Sequence, residues 1–218
     1  MTLKLVIFDV DGTLVDSQAD ILSCMAQAFA AQGLDSPSRT KVLSIVGLSL
    51  PQAMHRLAPE ADQARLVNDY KAAFAAQRMS KTHKSVLYPG AHATITRLHS
   101  EPDILLGVAT GKSRRGLDAL LAEHALERYF VSTQVADTHP SKPHPSMILT
   151  ALSDTGVDAT DAVMVGDTTF DRDMAHAAGV TFVGVSWGYH AASELGDVVI
   201  DDFGGLRPAL THLWGENA

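Results

Sequence analysis

The chain has 218 residues, 46% of them hydrophobic and 19% charged, with a formal net charge of −8 and a pI near 5.6. That length holds one large domain, or a domain with a modest insertion, around a sizeable core, and the composition excludes a disordered chain. The acidic balance argues against a general nucleic-acid or anionic-membrane surface, so an anionic ligand needs its own local positive charge.

Residues 5–9, Leu-Val-Ile-Phe-Asp, read as a buried strand that ends in a carboxylate, and Val10, Asp11 and Gly12 turn the chain sharply. From Ser17 the pattern becomes helical for about seventy residues. Ile21, Leu22, Met25 and Phe29 recur at three- and four-residue spacing up to Gly33, and Cys24 among them is read as core filler. A second helix is expected over residues 39–46. A third opens at Ser49 with Pro51 in its first turn and runs to Leu57, before Pro59. Leu66, Tyr70 and Phe74 mark a longer helix that fades into residues 79–84. Tyr88-Pro89-Gly90 then punctuates the return. Strands are expected at residues 104–109, 129–135, 162–165, 180–185 and 198–200, with helices between them carrying Leu117, Leu120 and Leu121, then Met147, Ile148, Ala151 and Leu152, then Met174, Ala175 and Ala178. Alternating β and α units imply a mostly parallel sheet covered by helices on both faces. The fold class expected is thus α/β, with an all-helical insertion directly after the first strand, at the carboxyl edge where an open parallel sheet binds ligands.

A single cysteine excludes an internal disulfide. The first residues are too short in apolar run and too acidic for a signal peptide, and no apolar run approaches the roughly 18 residues of a spanning helix. A soluble, cytoplasmic protein is expected.

Chemistry concentrates at strand ends. Asp9 and Asp11, two apart in an extended stretch, can face the same way, and two carboxylates so close repel unless a cation sits between them. An oxygen-only set with a small gap suits Mg²⁺. Alone, Asp9 also reads as a structural aspartate and Asp11 as an Asx-turn residue. Thr13 either orients Asp11 or caps the turn, and Asp16 and Ser17 read as N-cap residues. Thr110-Gly111-Lys112-Ser113 offers a hydroxyl and backbone N–H groups that can cradle phosphate oxygens, or simply starts a helix with Thr110 or Ser113 as cap. Lys142, in Ser141-Lys142-Pro143-His144-Pro145, reads as a solvated lysine or as a cation whose approach the prolines fix; His139 and His144 read as loop residues. Gly166 permits a tight exit from its strand, Asp167 then stands where a metal shared with Asp9 could be held, and Asp171 could reach back to metal-bound water. Asp173 is read as favouring a helix N-terminus.

The run Asp9-Val10-Asp11-Gly12-Thr13-Leu14-Val15-Asp16-Ser17 resembles the first signature of the haloacid dehalogenase superfamily of phosphohydrolases, in its phosphoglycolate-phosphatase-like branch, and Thr110, Lys142 and Asp167 with Asp171 fall in the order of the later signatures. The resemblance implies a Rossmann-like core over residues 1–16 and 88–218 and a helical cap over residues 17–87. It implies Asp9 as nucleophile, Asp11 as general acid and base, Thr110 and Lys142 as phosphate contacts with Lys142 also offsetting charge, and Mg²⁺ held by Asp9, the main-chain carbonyl of Asp11, and Asp167, with Asp171 nearby. Many relatives carry asparagine where this chain has Gly111, which leaves a main-chain N–H as the phosphate contact there. The implied activity is Mg²⁺-dependent hydrolysis of a small phosphomonoester such as phosphoglycolate, a sugar phosphate or a nucleotide. A sugar phosphomutase is the rival on the same core; a phospho-accepting signalling module and a catalytically silent binding protein are more distant ones. Dehalogenases lack the acid that Asp11 supplies. Gly47-Leu48-Ser49, Arg56, Lys81 and Lys84 are possible contributors from the cap.

Overall fold

The computed structural model describes residues 2–79 and 85–215. Six parallel strands form the central sheet in the order β5-β4-β1-β6-β7-β8: β1 Lys4–Phe8, β4 Ile104–Thr110, β5 Ser132–Val135, β6 Ala162–Gly166, β7 Thr181–Val185 and β8 Val199–Ile200. β1 is buried on both faces because its side chains alternate. Val6 and Phe8 join an apolar layer with α5 (Ala91–His99), α6 (Arg114–Glu123) and α9 (Leu206–Leu213), whereas Leu5 and Ile7 pack with α7 (Ser146–Thr155) and α8 (Thr169–Ala177). A hydrophobic run without polar alternation therefore marks the central strand.

Between β1 and the rest of the sheet lie α1 (Gln18–Ala30), α2 (Arg39–Leu43), α3 (Leu50–Leu57) and α4 (Gln63–Met79), which share a separate apolar cluster around Met25, Phe29, Met54 and Leu66. An antiparallel ribbon joins this helical insertion to the sheet: β2 (Val15–Asp16) pairs with β3 (Val86–Leu87), and the Tyr88 N–H donates to the Leu14 carbonyl at 2.9 Å. The ribbon is absent from the sequence reading because two residues per strand carry no detectable period. Cys24 is buried in α1 as expected, its thiol pushed up to about 12 by burial and by Asp20.

Three boundaries move. The second helix stops at Leu43, where Ser44 caps it and Ile45, Val46 and Gly47 turn away, Gly47 with φ +98°. Residues 127–129 form a 3₁₀ turn, so β5 starts only at Ser132; Tyr129 is buried as a helical-side residue rather than as part of a strand. Asp16 lies in β2, and Ser17 precedes α1 without a side-chain capping bond. The expected end of the helical segment at residues 80–84, including Lys81 and Lys84, lies outside the described residues. Among the described residues no helix is long and apolar enough to cross a membrane.

Candidate active site

The sheet brings the strand-end residues together because β1 lies between β4 and β6 in matched register: Phe8 pairs with Val108 on one side and with Val165 on the other. Strands spaced about 4.8 Å apart then set Asp9, Thr110 and Asp167 side by side at the carboxyl edge. The Asp9 N–H donates to the Val165 carbonyl at 2.9 Å, which pins the first of them. The turn beyond needs Gly12: its φ is +88°, and a Cβ there would lie 2.2 Å from Asp167 Oδ2.

Asp9, Asp167 and Asp171 each offer a carboxylate oxygen within 4.8 Å of the others, and all three are buried. Lys142, fully buried as well, places Nζ 2.5 Å from Asp171 Oδ1 and 2.8 Å from Asp9 Oδ1. Asp171 is the third residue of α8 and closes a capping box: its Oδ2 accepts from the Thr168 N–H and hydroxyl at 3.1 and 2.6 Å. Asp167 accepts from the Thr13 hydroxyl and from the Tyr189 N–H, both at 2.9 Å. Asp9 differs from its neighbours, since both of its buried oxygens accept no aligned hydrogen bond.

Three buried carboxylates thus face one buried ammonium. Burial is the largest influence on Asp9 and pushes it up to about 7; Lys142 opposes this and Asp171 and Asp11 add to it. Asp167 is likewise held well above the usual carboxylate range by burial and by Asp171 and Asp9, against the Tyr189 and Thr13 donors. Burial works to lower Lys142, but Asp171 and Asp9 outweigh it and raise the ammonium above its ordinary value. Surplus negative charge, an oxygen-only donor set and an Asp9 carboxylate met only by Lys142 at one oxygen fit a small divalent cation such as Mg²⁺.

Asp11 stands apart from this cluster. Its two carboxylate oxygens lie 2.5 and 2.8 Å from Lys112 Nζ, which also sits 5.6 Å above the Phe74 ring of α4. The Asp11 side chain thus pairs with Lys112, whereas Asp9 faces Lys142, which it shares with Asp171. Thr110 is the last residue of β4, buried, its Oγ1 accepting from the Lys112 N–H at 3.2 Å, and Ser113 rather than Thr110 caps α6. Thr13 binds Asp167 and not Asp11, a correction that follows from Gly12 bringing the turn against Asp167. His139 lies between Gln134 and Ser146, away from the carboxylates.

Above Asp9, Asp11 and Thr110 opens a chamber of about 570 Å³, walled by Met25 and Val46 of the insertion, by Tyr70 and Phe74 of α4, and by Lys112. Sequence reasoning passed over Lys112 as a partner for Asp11; the signal available was only its place two residues after Thr110. Of the expected cap contributors, Gly47, Leu48 and Ser49 line the chamber, while the Arg56 guanidinium lies 5.2 Å over Phe170.

Residues 6–185 match the family described as haloacid dehalogenase-like hydrolase. The chain is 36% identical over 209 residues to the "Probable phosphatase IndB" of Dickeya dadantii, covering 91% of this chain and 90% of that one. It is 34% identical over 214 residues to a phosphoglycolate phosphatase of Agrobacterium fabrum, covering 94% and 91%. The crystal structure of a hydrolase from Pseudomonas syringae superposes with a TM-score of 0.83 at 22% identity, over 96% of this chain and 98% of the other, a likeness of fold.

Proposed function

Because the chain belongs to the haloacid dehalogenase-like hydrolase family, we propose that it hydrolyses a small phosphomonoester, phosphoglycolate-like, a sugar phosphate or a nucleotide, through an aspartyl-phosphate on Asp9 with Mg²⁺ as cofactor. The observation that carries this reading is the set of three buried carboxylates against a single buried ammonium, directly beneath the chamber. Asp9, Asp167 and the main-chain carbonyl of Asp11 would hold Mg²⁺, with Asp171 beside them, and the bound ion would supply positive charge against phosphate oxygens.

The chain's own residues do the rest. A carboxylate oxygen of Asp9 attacks phosphorus, forming one P–O bond as the ester P–O bond breaks. Asp11 in its acid form gives its proton to the leaving oxygen. Asp11 as carboxylate then takes a proton from the water that attacks the phospho-aspartate, and Asp9 departs unmodified. Thr110 and the Gly111 N–H hold phosphate oxygens, and Lys142 offsets the charge gathered around Asp9 and Asp171. Lys112 keeps the Asp11 carboxyl turned toward the chamber. Residues 17–87 act as a cap over the core of residues 1–16 and 88–218, shielding the site from bulk water and contacting the organic part of the ester.

The test is phosphate release from a panel of small esters with and without Mg²⁺, using Asp9→Asn as control. Release by the wild type that Asp9→Asn lowers by roughly a thousandfold or more supports the reading. A variant that keeps substantial turnover removes Asp9 as nucleophile, and phosphate transferred to the sugar instead of released would favour the mutase.

A further inference from the structure

Most glycines of the site are explained by positive φ or by the core packed against them, but Gly111 is not. Its φ lies outside the left-handed region, so its own backbone accepts a side chain. The nearest atoms that a Cβ there would meet belong to the helical insertion alone: the carbonyl oxygens of Gly47 and Leu48, each at 2.6 Å, and the Gly47 carbonyl carbon at 3.0 Å. These are backbone atoms and cannot swing aside as a side-chain tip would. Two further contacts tie the same three residues to the core. The Ser49 N–H donates to Ser141 Oγ at 2.8 Å, next to Lys142, and a Cβ on Gly47 would lie 3.1 Å from Thr168 Oγ1, next to Asp167. One short backbone segment thus rests on three of the strand-end loops that carry the site.

We infer that Gly111 is a positioning residue: the notch left by its missing side chain admits the backbone of Gly47 and Leu48 and so fixes how far the insertion closes over Asp9 and Thr110. A side chain of any size at 111 holds the segment off by an ångström or more, and the Ser49–Ser141 bond breaks with it. None of the three atoms nearest that Cβ is a core atom. An offset of about an ångström at a closing element costs up to about a hundredfold in turnover.

The experiment compares wild type with Gly111→Ala and Ser141→Ala by hydrogen exchange at the Ser49 amide, by affinity for inorganic phosphate with Mg²⁺, and by ester kinetics. Gly111→Ala is expected to fold, to exchange the Ser49 amide roughly tenfold faster or more, and to lose kcat rather than raise KM alone. Folded Gly111→Ala with wild-type protection at Ser49 overturns the inference. So does lost phosphate affinity with that protection intact, because the substitution would then act through the phosphate contact of the residue 111 N–H and not through the insertion. Should Gly111→Ala fail to fold, Ser141→Ala, which removes only a hydroxyl from the same contact, must speed exchange at Ser49; unchanged protection there is equally fatal. The kinetic arm rests on the phosphatase reading, whereas the exchange arm does not. A wild type that releases no phosphate from any ester, with Ser49 responding as expected, sinks that reading and leaves the role of Gly111 standing.

Discussion

At the scale of single residues, the site is defined by which carboxylate meets which cation. Asp171 has three donors and Asp167 two, while Asp9 has a lysine near one oxygen and no aligned hydrogen bond on either. A carboxylate left in that state at the end of a buried strand is costly to the fold, which is the usual signature of a group kept for chemistry. Asp11 is paired with Lys112, a partner that the sequence reading did not name. Replacing Lys112 by Met keeps the length and the contact with Phe74 but frees the Asp11 carboxyl. Phosphate release should fall roughly tenfold to a hundredfold with the fold intact. Steady-state kinetics with circular dichroism check this, and wild-type turnover in Lys112→Met would leave Asp11 positioned by the turn alone.

At the scale of elements, the helices differ in how their first turns are satisfied. Ser113 caps α6 through its hydroxyl, accepting from the Gly116 N–H at 3.2 Å, whereas Ser49 precedes α3 without a side-chain capping bond. Ser113→Ala should therefore cost about 1 kcal/mol, and Ser49→Ala should stay within about 0.5 kcal/mol, since its main-chain bond to Ser141 survives. Urea unfolding of both variants decides it; equal losses would mean that the hydroxyl of Ser113 contributes nothing as a cap. Helix α8 was legible from the spacing of Met174, Ala175 and Ala178, and the structure adds the capping box of Thr168 and Asp171 at its start. The two-residue ribbon of β2 and β3 was not legible, since pairing between Val15 and Leu87 spans the whole insertion and leaves no local trace.

At the scale of the whole molecule, the buried acids couple folding to pH and to metal. Asp9 is raised to about 7 and Asp167 is also raised, so the folded protein holds these protons more tightly than the unfolded chain does. For a raised acid, the stabilisation is fully present below the unfolded value near 4 and is lost as pH rises through the folded value. Metal-free protein should lose that contribution between about pH 4 and pH 7, and Asp9→Asn should flatten its share of the loss. A divalent cation competes with the protons, so the Mg²⁺-induced rise in Tm should be larger at pH 8 than at pH 5. Calorimetry with EDTA and with Mg²⁺ at the two pH values tests it; a larger gain at pH 5 would contradict a site held by these carboxylates.

The parallel sheet, the helical insertion after the first strand and the residues Asp9, Asp11, Thr110, Lys142, Asp167 and Asp171 were all readable from the chain. Runs of buried β-branched and aliphatic residues, three- and four-residue apolar spacings and turn residues are local signals, and each candidate stood at the end of a strand-like run. What joins them is not local. The placing of β1 between β4 and β6, the separate lysines on Asp9 and Asp11, the Thr13 bond to Asp167 and the backbone of Gly47 lying over Gly111 join residues 64 to 157 positions apart in the numbering. Only the packed sheet, by bringing those strand ends to one edge, decides which side chains meet.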